Sequence, residues 1–156
     1  MRGAAPRIPK GSGRAVKKHE THPYTVMTVC TGNICRSPMG EIILRHEFEQ
    51  RGLGDAVRVE SSGVSDEEYG NPIDPRAVKV LRERGYAIPA KHFAHRITRN
   101  EIADTDLFLP MTASHMNALL HMLPLSKRSE VHMYRSFDPD LPDPQPGYES
   151  EIDLVD

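Results

Sequence analysis

A cysteine and an arginine separated by five residues lie between an apolar run and a helix-like segment. Cys30 follows the β-branched run 24–29, and Arg36 and Ser37 follow the segment 31–35. A thiolate is the reactive form of cysteine, and a helix N-terminus with a nearby cation lowers the pKa of the thiol. A guanidinium binds two oxygens of an anion at once, which an ammonium does less well. We therefore predict that Cys30 attacks phosphorus, with Arg36 on the phosphoryl oxygens and Ser37 hydrogen-bonded to the sulfur.

The residues between Cys30 and Arg36 are typical of a backbone anion site. Gly32 lets backbone N–H groups converge on a phosphate, and Asn33 tolerates the left-handed conformation that such a site uses. Ser37 and Pro38 indicate an N-cap and a first-turn proline, so a helix is predicted to begin there. The positive end of that helix attracts anions. The sequence therefore predicts a phosphate loop between the first strand and the first helix.

Strand-like and helix-like segments alternate along the rest of the chain. After the run at 24–29, further strands are predicted at 57–60, 107–109 and 131–134. Helices are predicted to follow Ser37, Asp74 and Thr112, with a short one at the capping-box pattern 98–101. This alternation predicts an α/β fold, with a four-stranded parallel sheet and helices on both faces. Ligands of such sheets bind beyond the carboxyl ends of the strands, where Cys30 is expected.

Length, charge and cysteine content exclude several classes of protein. A chain of 156 residues fits one domain, and a formal charge of −2 does not indicate a general polyanion binder. Two cysteines are too few for a secreted disulfide framework or for a four-thiolate zinc site. No apolar run approaches the roughly 20 residues that cross a bilayer. We expect a cytoplasmic protein that binds neither nucleic acid nor membrane and needs no metal or cofactor; its oligomeric state is not indicated.

Residues 1–22 differ in composition from the rest of the chain. They contain six Lys or Arg residues, one Glu and almost no large apolar side chains. Such a segment buries too little surface to offset its ordering entropy. We predict that residues 1–22 form a disordered basic arm and that residues 23–156 form the folded domain.

The segment 29–38 reads Val-Cys-Thr-Gly-Asn-Ile-Cys-Arg-Ser-Pro, and it resembles the phosphate loop of the low-molecular-weight protein tyrosine phosphatase family. The Gly-Asn pair, the second cysteine and Ser-Pro make the match far more specific than a cysteine and an arginine at this spacing. Other family-like stretches follow in the expected order at 62–63, 70–77, 95–98 and 136–139. The resemblance implies a phosphatase that hydrolyses phosphotyrosine in a phosphorylated protein, or a small aryl phosphate, through a cysteinyl-phosphate intermediate on its own cysteine.

The resemblance also implies roles for individual residues. The phosphate-binding residues beside Cys30 and Arg36 would be Thr31, Gly32, Asn33, Ile34, Cys35 and Ser37. Asp143, in the run Leu-Pro-Asp-Pro, matches the family's general acid, which protonates the leaving oxygen and then activates water. Ser62 and His92 match residues that hold the loop in shape. Cys35 has two interpretations: a small buried residue, or a partner that forms a reversible disulfide with the nucleophile.

The chain departs from the family pattern in three places. Gln145 and Pro146 follow Asp143, where the family has two aromatic residues beside the phosphotyrosine ring. On the opposite side of the ring, Tyr69 is the aromatic residue of the stretch 66–69 that could take the place of the family's aromatic wall. Residues 149–156 are too few for the family's long final helix, so that helix is predicted to be missing.

These departures leave other functions open. A catalytically impaired protein that binds phosphate or a phosphoprotein on the same fold is the main alternative. Arsenate reductase is less favoured, because that chemistry uses additional downstream cysteines and none follows Cys35. A phosphoarginine phosphatase is disfavoured by Ile34, since that branch resembles this loop with threonine before the second cysteine.

Overall fold

The computed structural model of the protein describes residues 23–137. Three predictions concern residues outside that range: the basic arm at 1–22, the general acid Asp143 and the missing final helix. The strands and helices are, in chain order, β1 (Tyr24–Cys30), α1 (Arg36–Gln50), β2 (Val57–Gly63), α2 (Pro75–Glu83), α3 (Arg99–Asp104), β3 (Leu107–Pro110) and α4 (Ala113–Met122). Two 3-10 helices follow at Leu125–Glu130 and Tyr134–Phe137. Within residues 23–137, no helix is long and apolar enough to span a membrane.

The three strands form one parallel sheet in the order β2-β1-β3. β1 pairs with β2 along its whole length, so that Cys30 lies opposite Gly63. Its other edge pairs with β3 through Val26 to Val29. A central parallel strand is buried on both faces and is therefore almost uniformly β-branched and apolar. This position explains the run at 24–29, and it places Cys30 at the carboxyl end of the middle strand.

Helices cover both faces of the sheet, as predicted. Successive residues of β1 point to opposite faces. Val26 packs in a cluster with Phe48 of α1, whereas Met27 packs in a cluster with Leu119 of α4. α2 packs against α1 on the same side, around the buried side chain of Leu81. The α/β fold with a parallel sheet is therefore confirmed.

The predicted fourth strand at 131–134 is wrong: the sheet formed by the described residues has three strands. Val131 makes one isolated parallel bridge to Phe108, and the N–H of His132 donates to the Phe108 carbonyl at 2.9 Å. The chain then turns directly into the 3-10 helix Tyr134–Phe137. One bridge anchors the buried Val131 side chain in the core, but a strand needs successive pairs.

The predicted helix starts are partly confirmed. Asp74 caps α2 by accepting from the Arg76 N–H at 2.8 Å, and Thr98 opens α3 with a capping box. Ser37 is not the N-cap of α1, because that helix begins at Arg36 after Cys35, whose side chain makes no capping bond. The Ser37 hydroxyl is instead engaged with the sulfur of Cys30, as described below.

Candidate active site

The sulfur of Cys30 lies where β1 ends and the phosphate loop, residues 30–37, begins. Cys30 is fully buried, and its Sγ lies 3.0 Å from Oγ of Ser37 in the first turn of α1. The Thr28 hydroxyl donates to the Ser37 carbonyl at 2.7 Å, which ties that first turn to the central strand. The structure thus brings together the cysteine and the serine that the sequence paired.

Arg36 is the first residue of α1. It is half-buried, and its Nε and Nη1 atoms have almost no contact with solvent. The first turn of a helix carries free backbone N–H groups and the positive end of the helix dipole. The helix N-terminus therefore adds positive potential at the end of the phosphate loop where Ser37 meets the sulfur.

Asn33 braces the loop from within. It is fully buried and has a φ of 63°, the left-handed conformation that asparagine tolerates. Its Nδ2 donates to Oγ of Ser37 at 2.9 Å and to Oγ of Ser61 at 3.0 Å. Its Oδ1 accepts from the backbone N–H of His95 at 3.1 Å. One side chain therefore ties the loop to α1, to β2 and to the segment before α3.

The serine of β2 that supports the loop is Ser61, and the prediction of Ser62 is corrected. Ser61 accepts from Asn33 and donates to a carboxylate oxygen of Glu41, which is also paired with Arg45. The Ser62 hydroxyl is buried and has no hydrogen-bond partner in the part of the chain that the structure describes. Neighbouring residues of a strand point to opposite faces, so only one of two adjacent serines reaches the loop.

Two histidines approach the loop from the segment before α3. The Nε2 atom of His92 lies 2.6 Å from the backbone carbonyl oxygen of Asn33, so its ring contacts the loop. The Nε2 atom of His95 lies 2.8 Å from Oε2 of Glu101. This hydrogen bond raises the pKa of His95 above its ordinary value of 6.5, although burial opposes it. Burial raises the pKa of Glu101, but the bonds from His95 and Thr98 outweigh it and the pKa falls below 4.5.

Gly63 is required by the closeness of two backbones. A β-carbon at Gly63 would collide with the carbonyl oxygen of Thr31 and would lie 3.2 Å from the nitrogen of Asn33. At Gly32 a β-carbon would lie 2.8 Å from Cγ of Glu68, so this glycine also lies under a neighbouring segment. The phosphate loop is therefore enclosed at two positions where only glycine fits without a shift of the neighbours.

The other three loop residues are held in different ways: Ile34 by its backbone, Thr31 by its hydroxyl and Cys35 by packing in the core. The carbonyl of Ile34 accepts from the N–H of Asp74 at 2.7 Å. Thr31 is bound through its hydroxyl, which lies 2.9 Å from Nε2 of the buried His115 in α4. Cys35 is 7% exposed and belongs to a core cluster that includes Leu81. Both cysteines are free thiols, so the structure is that of the reduced protein.

Comparisons with known proteins show which family the chain belongs to. The family model for low molecular weight phosphotyrosine protein phosphatases matches residues 25–155. The chain belongs to this family. It is 41% identical over 140 residues to low molecular weight protein-tyrosine phosphatase A of Mycobacterium tuberculosis, covering 85% of this chain and 83% of that protein. It is 35% identical over 145 residues to the low molecular weight protein-tyrosine-phosphatase of Streptomyces coelicolor, covering 85% and 87%.

The fold is similar to that of a protein tyrosine phosphatase from Entamoeba histolytica. The TM-score is 0.73, with 80% of this chain and 81% of that chain covered. At 23% identity this likeness shows the fold alone. The family of cysteine-dependent phosphatases is shown by the sequence matches.

Two residues of this phosphatase site were missed by the sequence reasoning. Ser61 has a signal in the alternation of β2, since it follows Val57 and Val59 on the buried face of the strand. His115 has a signal too, because it lies four residues before the buried Leu119 on the inner side of α4. A polar residue on a buried face needs a partner, and the local sequence does not say which segment supplies it.

The general acid predicted for the phosphatase, Asp143, lies outside the described residues. The same is true of Gln145 and Pro146, where the resemblance predicts an aromatic pair. Within residues 23–137, no three His, Cys, Asp or Glu side chains come together in a group that could hold a metal ion.

Proposed function

We propose that this protein hydrolyses phosphotyrosine, or a similar aryl phosphate monoester, through a cysteinyl-phosphate intermediate. The substrate is a phosphorylated protein or a small aryl phosphate. The observation that carries this proposal is the placement of a buried cysteine sulfur 3.0 Å from a serine hydroxyl in the first turn of α1, directly after Arg36. A thiolate in that position is stabilised by the helix N-terminus, by the cation and by the hydroxyl.

In the first step, the thiolate of Cys30 attacks phosphorus and an S–P bond forms. The bond between phosphorus and the aryl oxygen breaks, and Asp143 donates its proton to that leaving oxygen. Arg36 and the backbone N–H groups of the loop stabilise the equatorial oxygens as charge develops on them. Ser37 hydrogen-bonds to the sulfur as it changes from nucleophile to phosphorylated thiol.

In the second step, water attacks the phosphorus of the intermediate. The carboxylate of Asp143 takes the proton from that water, the S–P bond breaks, and inorganic phosphate leaves. The sulfur becomes a thiolate again, and the hydroxyl of Ser37 stabilises it as the leaving group. The role of Asp143 rests on its position in the Pro-Asp-Pro motif.

An exposed aromatic pair supports an aryl substrate. The rings of Tyr69 and Phe93 pack edge to face with centroids 5.0 Å apart, and they are 64% and 56% exposed. Tyr69 follows Glu68, which lies over Gly32, and Phe93 follows His92, which contacts the loop carbonyl of Asn33. Aromatic contacts add about 0.5–1.5 kcal/mol per pair beyond burial. We include in the proposal that this pair replaces the family's aromatic wall.

The test compares two substrates that differ in the leaving group, phosphotyrosine and an activated aryl phosphate. Cys30→Ser should abolish turnover of both, while phosphate or vanadate binding is largely retained through the backbone and Arg36. Asp143→Asn should slow phosphotyrosine by about 10²–10⁴ and the activated ester much less, because a good leaving group departs without a proton. Asp138→Asn and Asp140→Asn are the matched controls and should change little.

Three outcomes contradict parts of the proposal. Retained turnover in Cys30→Ser removes the nucleophile assignment. Leaving-group dependence in Asp138→Asn or Asp140→Asn, rather than in Asp143→Asn, moves the general acid to another residue. If the wild type binds phosphate but turns over neither substrate, the protein is a phosphate or phosphoprotein binder, an alternative motivated by Gln145 and Pro146 in the acid loop.

A further inference from the structure

We propose that His115 is a positioning residue for the reaction at Cys30 and acts through Thr31; this inference rests on the proposed function. His115 lies in the first turn of α4, is 1% exposed, and has its Nε2 atom 2.9 Å from Oγ1 of Thr31. Thr31 is the residue directly after the nucleophile. The bond therefore joins a separate helix to the residue whose backbone sets the position of the sulfur.

His115 is itself held in a defined place. The N-cap residue Thr112 accepts from the His115 backbone N–H at 3.3 Å, which fixes the start of α4. The helix packs on the sheet through Leu119, four residues later on the same side. A ring that is nearly all buried and anchored by its own helix can hold its partner in one orientation. The low local dielectric strengthens such a bond and makes its loss costly.

Thr31 is held from two directions. Its carbonyl accepts from the N–H of Ser65 at 3.1 Å, on the side of β2, and Gly63 packs against the same carbonyl. Its hydroxyl is held by His115, on the side of α4. With both groups fixed, the Thr31 backbone cannot rotate without breaking a contact. In the proposed function its N–H is one of the phosphate donors, so a fixed backbone at Thr31 would keep that donor in place for the reaction.

This contact differs from the brace provided by Asn33. Asn33 is tied to Ser61, which lies on the same face of β2 as Val57 and Val59, in the cluster that packs on α1. His115 belongs to α4, which packs with Met27 on the opposite face of the sheet. Asn33 and His115 therefore hold the loop from opposite faces of the sheet, and neither set of hydrogen bonds can replace the other.

The experiment removes the bond from each end. The variants are His115→Leu, His115→Gln, which keeps an amide near the place of Nε2, Thr31→Val, Thr31→Ser and the double variant His115→Leu/Thr31→Val. His121→Leu is the matched control, since His121 lies on the same helix but is exposed and bonds to a backbone carbonyl of its own helix. Each variant is assayed for kcat and KM on an aryl phosphate, for binding of inorganic phosphate and vanadate, and for its unfolding midpoint.

We expect kcat/KM of His115→Leu and of Thr31→Val to fall roughly three- to tenfold, the equivalent of one hydrogen bond. Vanadate binding should weaken by a similar factor, because it depends on the same loop geometry. His115→Gln and Thr31→Ser should recover most of the loss, and the double variant should be no worse than either single variant. His121→Leu should behave as the wild type.

If His115→Leu is assayed under conditions in which it is folded and its kcat/KM and vanadate affinity are unchanged, the histidine contributes to stability alone. Additive losses in the double variant would show that the two side chains act separately. If His115→Leu does not fold, His115→Gln and Thr31→Val still decide between these outcomes. If the wild type has no turnover, the proposed function fails, and phosphate binding in the same variants still tests the positioning role.

Discussion

Replacement of Asn33 tests the brace at the centre of the phosphate loop. Asn33→Ala removes three side-chain hydrogen bonds, two donated to serines and one accepted from a backbone N–H. At about 1 kcal/mol for each bond, the loss is about 3 kcal/mol. Alanine at a φ of 63° adds about 1 kcal/mol of backbone strain. We expect the free energy of unfolding to fall by about 4 kcal/mol, a large share of the 5–15 kcal/mol typical of folded proteins.

The assay is urea unfolding together with turnover of an aryl phosphate. With a slope of about 2 kcal/mol per molar urea, a loss of about 4 kcal/mol moves the midpoint by about 2 M. Asn33→Gly separates the two contributions, because glycine adopts a positive φ without strain and should be less destabilising than alanine. Asn117→Ala is the matched control, since Asn117 is exposed on α4 and its replacement should change stability little.

Turnover should fall in both Asn33 variants even where they are folded, because the loop loses its tie to Ser37 and to β2. An Asn33→Ala protein within about 1 kcal/mol of the wild type, with turnover retained, would refute the reasoning. It would mean that the loop keeps its shape through its backbone contacts, such as the bond between Ile34 and Asp74, without help from the buried amide.

Two further predictions concern titration and oxidation. The folded pKa of His95 is raised, so the stability that its charged form gains from Glu101 is fully present below pH 6.5 and is lost as the pH rises through the folded pKa. The folded pKa of Glu101 is lowered, so the stability that its carboxylate gains is present above pH 4.5 and is lost as the pH falls through the folded pKa. The unfolding midpoint should therefore decline above pH 6.5 more in the wild type than in Glu101→Gln, and equal slopes would contradict this. Mild peroxide should inactivate the enzyme reversibly if Cys35 traps the oxidised Cys30 as a disulfide. Recovery on dithiothreitol should then be lower in Cys35→Ala, and equal recovery would leave Cys35 as a core residue.

The parts of the fold that depend on local chemistry were predictable from the sequence. Asp74 and Thr98 cap the helices that follow them because the capping bond is made within three residues. The run at 24–29 is recognisable as a central strand because burial on both faces favours β-branched and apolar residues and excludes charged ones. The left-handed backbone of Asn33 was also predictable, because the tolerance of asparagine for a positive φ does not depend on distant partners.

The parts that depend on distant partners were not predictable in the same way. Ser37 has the type of an N-cap residue, but the sulfur of Cys30 competes for its hydroxyl. Val131 is a β-branched residue that favours a strand, but the chain leaves the sheet after a single parallel bridge between Val131 and Phe108. The choice of Ser61 over Ser62 depends on the register of β2 against β1. The role of His115 depends on its contact with Thr31, which lies 84 residues earlier in the sequence, and no local pattern indicates such a contact.

The contact between Thr31 and His115 also sets an order of events during synthesis. Cys30, the proposed nucleophile, leaves the ribosome before α4, and the contact that its loop makes with His115 cannot form until residue 115 has been made, 84 residues after Thr31. At about 5–20 residues per second, this delay is roughly 4–17 s. Both cysteines are buried in the folded protein, but they have no such cover while the chain is still growing. The nascent chain therefore passes through a period in which both thiols are open to oxidants before the fold that buries them is complete.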